Sequence, residues 1–168
     1  MVDTIYHSAN LRQRRYYGSD TFFVSKCIQP RKPLLLPEQR EIISEALLFY
    51  VKQGKIILAA FVVMPDHWHA LLAPVGGKTL SQTIAGIQMW VSNNTHDYLE
   101  KHDAEWQTGF YETRVRSSKQ FSYVYNYIEN NPVVKKLANA KEEWNDSSAN
   151  IKYIDKMQRP WPWRFEYD

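Results

Sequence analysis

Residues 55–64, "KIILAAFVVM", form a nearly unbroken apolar run that stops at Pro65-Asp66 and resumes as "HWHALLA" over residues 67–73. Two β-favouring segments joined by turn-forming residues predict an antiparallel hairpin. A first arm this continuously apolar is what a central strand requires. On the return strand, side chains two residues apart share a face, so His67 and His69 project together while Trp68 faces the other way into a core.

The flanking sequence supplies partners for the hairpin. "TFFVSKCI" (residues 21–28) is β-branched and aromatic and reads as a strand ending before Pro30. From Pro37, "PEQREIISEALLFYVKQG" places Ile42, Ile43, Ala46, Leu47, Phe49 and Tyr50 at helical spacing and stops at Gly54. Thr79 or Ser81 caps a long helix that runs on through residues 84–102. "FYETRVR" (residues 110–116) predicts a fourth strand with Arg114 and Arg116 on one face. Ser117 or Ser118 then caps a helix over residues 119–131, a shorter helical piece follows Pro132, and a Trp/Pro-rich tail closes the chain. This order predicts an α+β sandwich of the split βαβ type, ferredoxin-like and RRM-like. Its antiparallel sheet carries helices on one face, and a further helix follows the fourth strand.

A chain of 168 residues suits one domain, with a basic arm over about residues 1–18 and the tail over about 150–168. Cys27 is the single cysteine, which excludes an internal disulfide and a cysteine-based zinc site. No run approaches the roughly 20 apolar residues of a membrane span, and the opening residues lack a signal-peptide core. A cytoplasmic setting is expected. A formal charge of +3 permits a polyanionic partner without demanding one. Aromatic residues make up 14% of the chain, enough for a large aromatic core with the tail packed back on it, or for rings that stack on bases.

Two same-side imidazoles are a ready pair of metal ligands, or a pair satisfied by backbone or carboxylate partners. The late helix narrows the choice. At about 100° per residue, Phe121, Val124, Tyr125 and Ile128 form its apolar stripe. Tyr127 lies at the stripe's edge with Asn131 four residues on, so a phenol and an amide leave the helix on one flank. Tyr127 is either a reactive group or an amphipathic ring with a wet hydroxyl. Asn131, directly before Pro132, is either a ligand or an N-cap. If this helix crosses the face bearing His67 and His69, four groups converge.

Three stretches in order, "MPDHWHALL", "WQTGFYETRV" and "YIENNPVV", resemble the single-domain HUH tyrosine transposases, in particular their REP-associated branch. "TFFVSKCIQPRKPLL" is similar to that branch's first strand and its continuation, and "EEWNDSSAN" to its late Trp-Ser-Ser stretch. The resemblance implies that His67, His69 and Asn131 hold a divalent metal and that Tyr127 is the nucleophile. It implies a single-stranded DNA substrate with a hairpin, cut through a 5′-phosphotyrosine intermediate that allows strand transfer. Phosphate contacts are expected from Arg12, Arg14 and Arg15 on the arm and from Arg114 and Arg116. Mg²⁺ or Mn²⁺ fits turnover, and Zn²⁺ or Ni²⁺ also suits the mixed donor set. A phenol of ordinary pKa, near 10, is only about 0.1% ionised at neutral pH, so such a nucleophile needs help.

Three departures stand out. Asp66 occupies a position usually held by Asn, Val134 replaces a basic residue with Lys135 and Lys136 following it, and Asp146 precedes Ser147-Ser148 in place of an aromatic. Two rivals remain at this level: a non-catalytic single-stranded nucleic-acid-binding module of RRM-like fold, and a hydrolase acting through metal-bound water. Relatives are dimers or monomers; the added tail tilts the expectation towards a monomer with its helix in cis.

Overall fold

The structure, a computed structural model, describes residues 20–157 and tail positions 161, 162, 164, 165, 167 and 168. Arg12, Arg14 and Arg15 lie outside the described residues.

The predicted hairpin is present as β2 (Ile56–Met64) and β3 (His67–Pro74), joined at Pro65-Asp66. β3 pairs on its other side with β1 (Thr21–Gln29), antiparallel throughout. The far edge of β1 is shared between a two-residue strand, β4 (Glu105–Trp106), and β5 (Tyr111–Val115). The two-residue β4 was not legible in the sequence, and it makes the expected fourth strand the fifth.

One residue of β2 is surplus to its pairing. Leu58 faces Leu72 and Ala60 faces Leu71, so Ala59 forms a bulge. The bulge shifts the side-chain parity of the strand by one, as a slipped register would. Beyond it Phe61 and Val63 join Trp68, Ala70 and Leu72 on one face, while Val62 and Met64 join Leu71 on the other.

The first face packs on α1 (Pro37–Lys52) and α2 (Leu80–Glu100) through Ile43, Leu47, Ile84, Ile87 and Val91. α1 ends where Gly54, at φ 63°, takes the left-handed turn that a side chain disfavours. Lys26 also points into this layer. Burial brings its ammonium down to about 8, and it donates to the carbonyls of Gln107 and Gly109, fixing the approach to β5.

α2 opens on a full capping box. Thr79 Oγ1 accepts from the Gln82 amide and the Gln82 side chain accepts from the Thr79 amide. Thr79→Ala is expected to cost about 1 kcal/mol, a fall of roughly 2–4 °C in a thermal melt.

The expectation of helices on one face holds for α1 and α2. α3 (Ser118–Val134) lies on the opposite face, its Val124 and Ile128 packed on Val62, Met64, Leu71 and Val115. The continuous apolar run of β2 is the reason, because it supplies a second apolar surface. α3 passes through Pro132 without breaking, with Lys135 N–H returning to the Asn131 carbonyl. No separate helical piece begins there.

β2 is an edge strand, not the central strand its composition suggested. Its outer edge is covered by residues 144–148: Val63 N–H bonds Asp146 O, Ser148 N–H bonds Phe61 O, and Trp144 Nε1 donates to Val63 O. Arg40 of α1 ties this segment down, with Nε 2.8 Å from Asp146 Oδ2 and its guanidinium 4.8 Å over the Trp144 ring. At the other end of α3, Trp161 and Phe165 of the tail lie against Phe121, 5.3 and 5.5 Å between ring centres. No described helix is long and apolar enough to cross a membrane.

Candidate metal and nucleophile site

His67 and His69 open β3, opposite Cys27 and Ser25 of β1, and turn to the face covered by α3. Both are buried, and their Nε2 atoms meet 3.0 Å apart. Asp66 sets the tautomer of the first. Its Oδ1 lies 2.5 Å from His67 Nδ1, nearer than Arg31 Nη2 at 3.2 Å, and an ionised carboxylate only accepts, so the ring proton sits on Nδ1 and the Nε2 lone pair faces His69. Arg31 braces the carboxylate, with Nε donating to Asp66 Oδ2 at 2.7 Å and Nη1 to Cys27 Sγ at 3.0 Å.

Burial alone would raise the Asp66 carboxyl, but hydrogen bonds from His67 and Arg31 outweigh it and bring it down to about 2. His69 moves the other way from the charged state. Burial, the largest cause, holds its imidazole well below the usual range, so it is neutral with a lone pair to give. The Asp66 that stands where Asn is usual therefore puts a negative charge beside the histidines, and it serves to orient one of them.

α3 brings the other two groups to the same place. The Tyr127 ring centre is 5.6 Å from that of His69 and 6.0 Å from that of Phe23, and the residue is 46% exposed. One turn on, Asn131 is buried, and its Oδ1 has no hydrogen-bond partner among the described residues. The N-cap alternative fails because Asn131 sits inside a continuous helix. A further turn brings Lys135 close enough for its charge to act on His69. Among the described residues no three His, Cys, Asp or Glu side chains are placed to hold a metal ion together, so a third protein ligand beside the histidines would be of another type. A buried amide oxygen without a hydrogen-bond donor is such a ligand.

The arginines divide. Arg114 sits opposite Phe22 in the β1–β5 register, on the face away from the histidines, and pairs with Asp20 at 2.6 Å. Arg116 is exposed beyond the end of β5. Arg31 was missed by sequence reasoning: it stands in a basic, proline-containing stretch, and only the fold brings it to Asp66, 35 positions away.

The sequence profile described as "Transposase IS200 like" matches residues 22–131, from the first strand to the buried asparagine. The chain belongs to the IS200-like transposase family. Transposases of this type are DNA-cutting and strand-transfer enzymes of the HUH tyrosine class. Two curated relatives are similar over most of this transposase. An uncharacterized protein of Haemophilus influenzae is 28% identical over 77% of this chain and 91% of its own length. The REP-associated tyrosine transposase of Escherichia coli is 27% identical over 78% of each chain. Among solved structures, a REP-associated tyrosine transposase bound to a REP hairpin superposes with a TM-score of 0.66 at 27% identity, covering 80% of each chain. A crystal structure from Deinococcus radiodurans, at 18% identity and a TM-score of 0.50 over 71% of this chain and 97% of its own, shares the fold alone.

Proposed function

We propose that this transposase cuts and rejoins hairpin-bearing single-stranded DNA, with Tyr127 as nucleophile and His67, His69 and Asn131 as protein ligands of a divalent cation. One observation carries the proposal. Two converging imidazole Nε2 atoms and a buried amide oxygen, unpartnered among the described residues, share one sheet-to-helix interface with a half-exposed tyrosine. The donor set fits a cation such as Mg²⁺ or Mn²⁺ because one imidazole has its proton fixed on the far nitrogen and the other is held neutral. When bound there, such a cation supplies polarisation of the scissile phosphate and stabilises charge on its oxygens.

The remaining work falls to the chain's own groups. Tyr127 Oη forms a bond to phosphorus as the bond to the DNA 3′-oxygen breaks, giving a 5′-phosphotyrosine and a free 3′-hydroxyl. Because the phosphoester is conserved, a new 3′-hydroxyl can reverse the step, which is strand transfer. Lys135 and Arg116 are exposed basic groups just beyond the two ends of α3, and they suit phosphate contacts. The half-exposed Tyr127 is reachable by a flexible single strand.

The test is incubation with hairpin oligonucleotides and Mn²⁺, read on a denaturing gel. A protein-linked DNA band is expected. Cleaved DNA without protein attached would favour hydrolysis by water, and binding without cleavage would favour a non-catalytic module. Asn131→Ala is expected to weaken Mn²⁺ binding at least tenfold by calorimetry, the order seen when a metal site loses a supporting contact. It should leave stability within about 1 kcal/mol, because the amide oxygen has no hydrogen bond to lose among the described residues. A purely structural asparagine predicts the reverse pattern.

A further inference from the structure

Beside the nucleophile, a cleft of about 300 Å³ opens between α3 and the strands β1 and β5. Its floor follows from the register. Tyr111 of β5 lies opposite Ser25, and Ser25 lies opposite His69 of β3, while Thr113 lies opposite Phe23 in the next row. All share the face that looks at α3, because their neighbours Phe22 and Val24 point into the other layer. Its wall is the helix flank bearing Tyr123 and, one turn on, Tyr127. Tyr123 is 62% exposed, an uncovered ring on a helix whose opposite side has ample apolar contact.

The lining is largely aromatic, with aliphatic hydroxyls from Ser25 and Thr113 beside the phenols of three tyrosines, and none of its residues is acidic. His69 borders it too, with Nε2 committed to His67 and Nδ1 buried without a partner among the described residues. Flat apolar faces, a few hydroxyls and a lining free of carboxylates suit a nucleobase, which stacks on rings whatever its identity. The volume is at the small end of ligand clefts, room for one base and not for a second chain segment. A base hangs on the sugar beside its phosphate. A phosphate held at Tyr127 therefore leaves one flanking base within reach of a cleft whose wall is the Tyr127 ring.

We infer that this cleft receives a single nucleobase flanking the scissile phosphate, swung out from its neighbours and stacked on the rings of Tyr123, Phe23 and Tyr111. The inference rests on the assignment of Tyr127 as nucleophile. Its consequence is a selection step. The cut strand is gripped at one nucleotide, which sets which phosphate meets the hydroxyl.

The experiment uses the full chain, Mn²⁺ and hairpin oligonucleotides carrying one abasic residue at successive positions around the cut, with adduct formation followed in single turnover. For the wild type, an abasic residue at one flanking position is expected to slow adduct formation about tenfold, the order of a lost base–aromatic stack. Tyr123→Ala should slow the intact substrate similarly, yet slow that abasic substrate by less than about twofold, because the two changes remove one interaction. Tyr123→Phe, which restores the ring, should recover most of the rate that Tyr123→Ala loses, and thermal melts check that both variants fold. Losses that multiply, or an abasic series without a sensitive flanking position, overturn the inference while leaving Tyr127 as nucleophile. If the wild type forms no adduct with any hairpin, the nucleophile assignment fails. The same abasic series read by equilibrium binding then decides the cleft on its own, an unchanged Kd at every position overturning it.

Discussion

Tyr127→Phe is expected to abolish the protein-linked DNA product while hairpin binding stays within about twofold of wild type. The substitution removes one oxygen and keeps the ring that lies against Phe23 and His69. The residue is nearly half exposed, so little burial energy is at stake and the fold should be unaffected. The chemical loss is of another order. Deleting a nucleophile removes the reaction path itself, and comparable deletions in covalent catalysis cost about 10⁴-fold or more. Single-turnover assays with end-labelled hairpin DNA check this, and a denaturing gel separates the two ways of failing. Residual cutting that leaves no protein on the DNA would mean that water attacks in this site. A variant that still forms the adduct would remove Tyr127 from the mechanism, and attention would turn to Tyr123 and Tyr111, the other phenols of the same cleft.

Several features of this site are legible in the amino-acid sequence because they depend on short-range periodicity. Parity along a strand put His67 and His69 on one face, and 100° per residue put Tyr127 and Asn131 on one flank. The hairpin followed from an apolar run interrupted by Pro65-Asp66, and the caps at Thr79 and Ser117 from side-chain chemistry. What escaped depends on distant partners. The bulge at Ala59 has no mark in a run that is apolar on both sides of it. Pro132 reads as a helix breaker, yet near the C-terminal end of α3 its missing N–H removes a single bond from a helix that packing already holds. The role of residues 144–148 as the cover of the β2 edge rests on backbone hydrogen bonds made some 80 positions back along the chain. Glu129 is the clearest case. A glutamate amid "YIENN" reads as a solvated charge, yet here it is 2% exposed.

Glu129→Ala should be the most damaging single change to the fold around the site, about 3 kcal/mol less stable than wild type. Glu129 Oε1 accepts from the Tyr125 hydroxyl at 2.7 Å and from Ser148 Oγ at 3.2 Å, and Oε2 accepts from Lys141 Nζ at 2.8 Å. Ser148 Oγ in turn accepts from the Phe61 amide at 3.1 Å, so one carboxylate links α3 to the edge of β2. Truncating it strands a buried hydroxyl and a half-buried ammonium together, and breaking a buried pair from one side typically costs about 3–5 kcal/mol. The lower figure applies because Lys141 is a third exposed and can recover water. For a chain of this size that is a fall of roughly 6–12 °C in melting temperature. Glu129→Gln keeps an acceptor for Tyr125 and Ser148 and gives up the charge pair alone, so about 1 kcal/mol is expected. Activity should follow geometry. Glu129 and Tyr127 leave α3 on opposite edges of its buried stripe, about 200° apart around the axis. A helix freed to roll on the Glu129 side misdirects the phenol and the Asn131 amide together. The Gln variant, assayed well below its melting temperature, should therefore show near-normal hairpin binding and slower adduct formation. Urea melts and single-turnover rates measured on both variants decide the matter: wild-type stability in Glu129→Ala would mean that α3 is held by its apolar stripe alone.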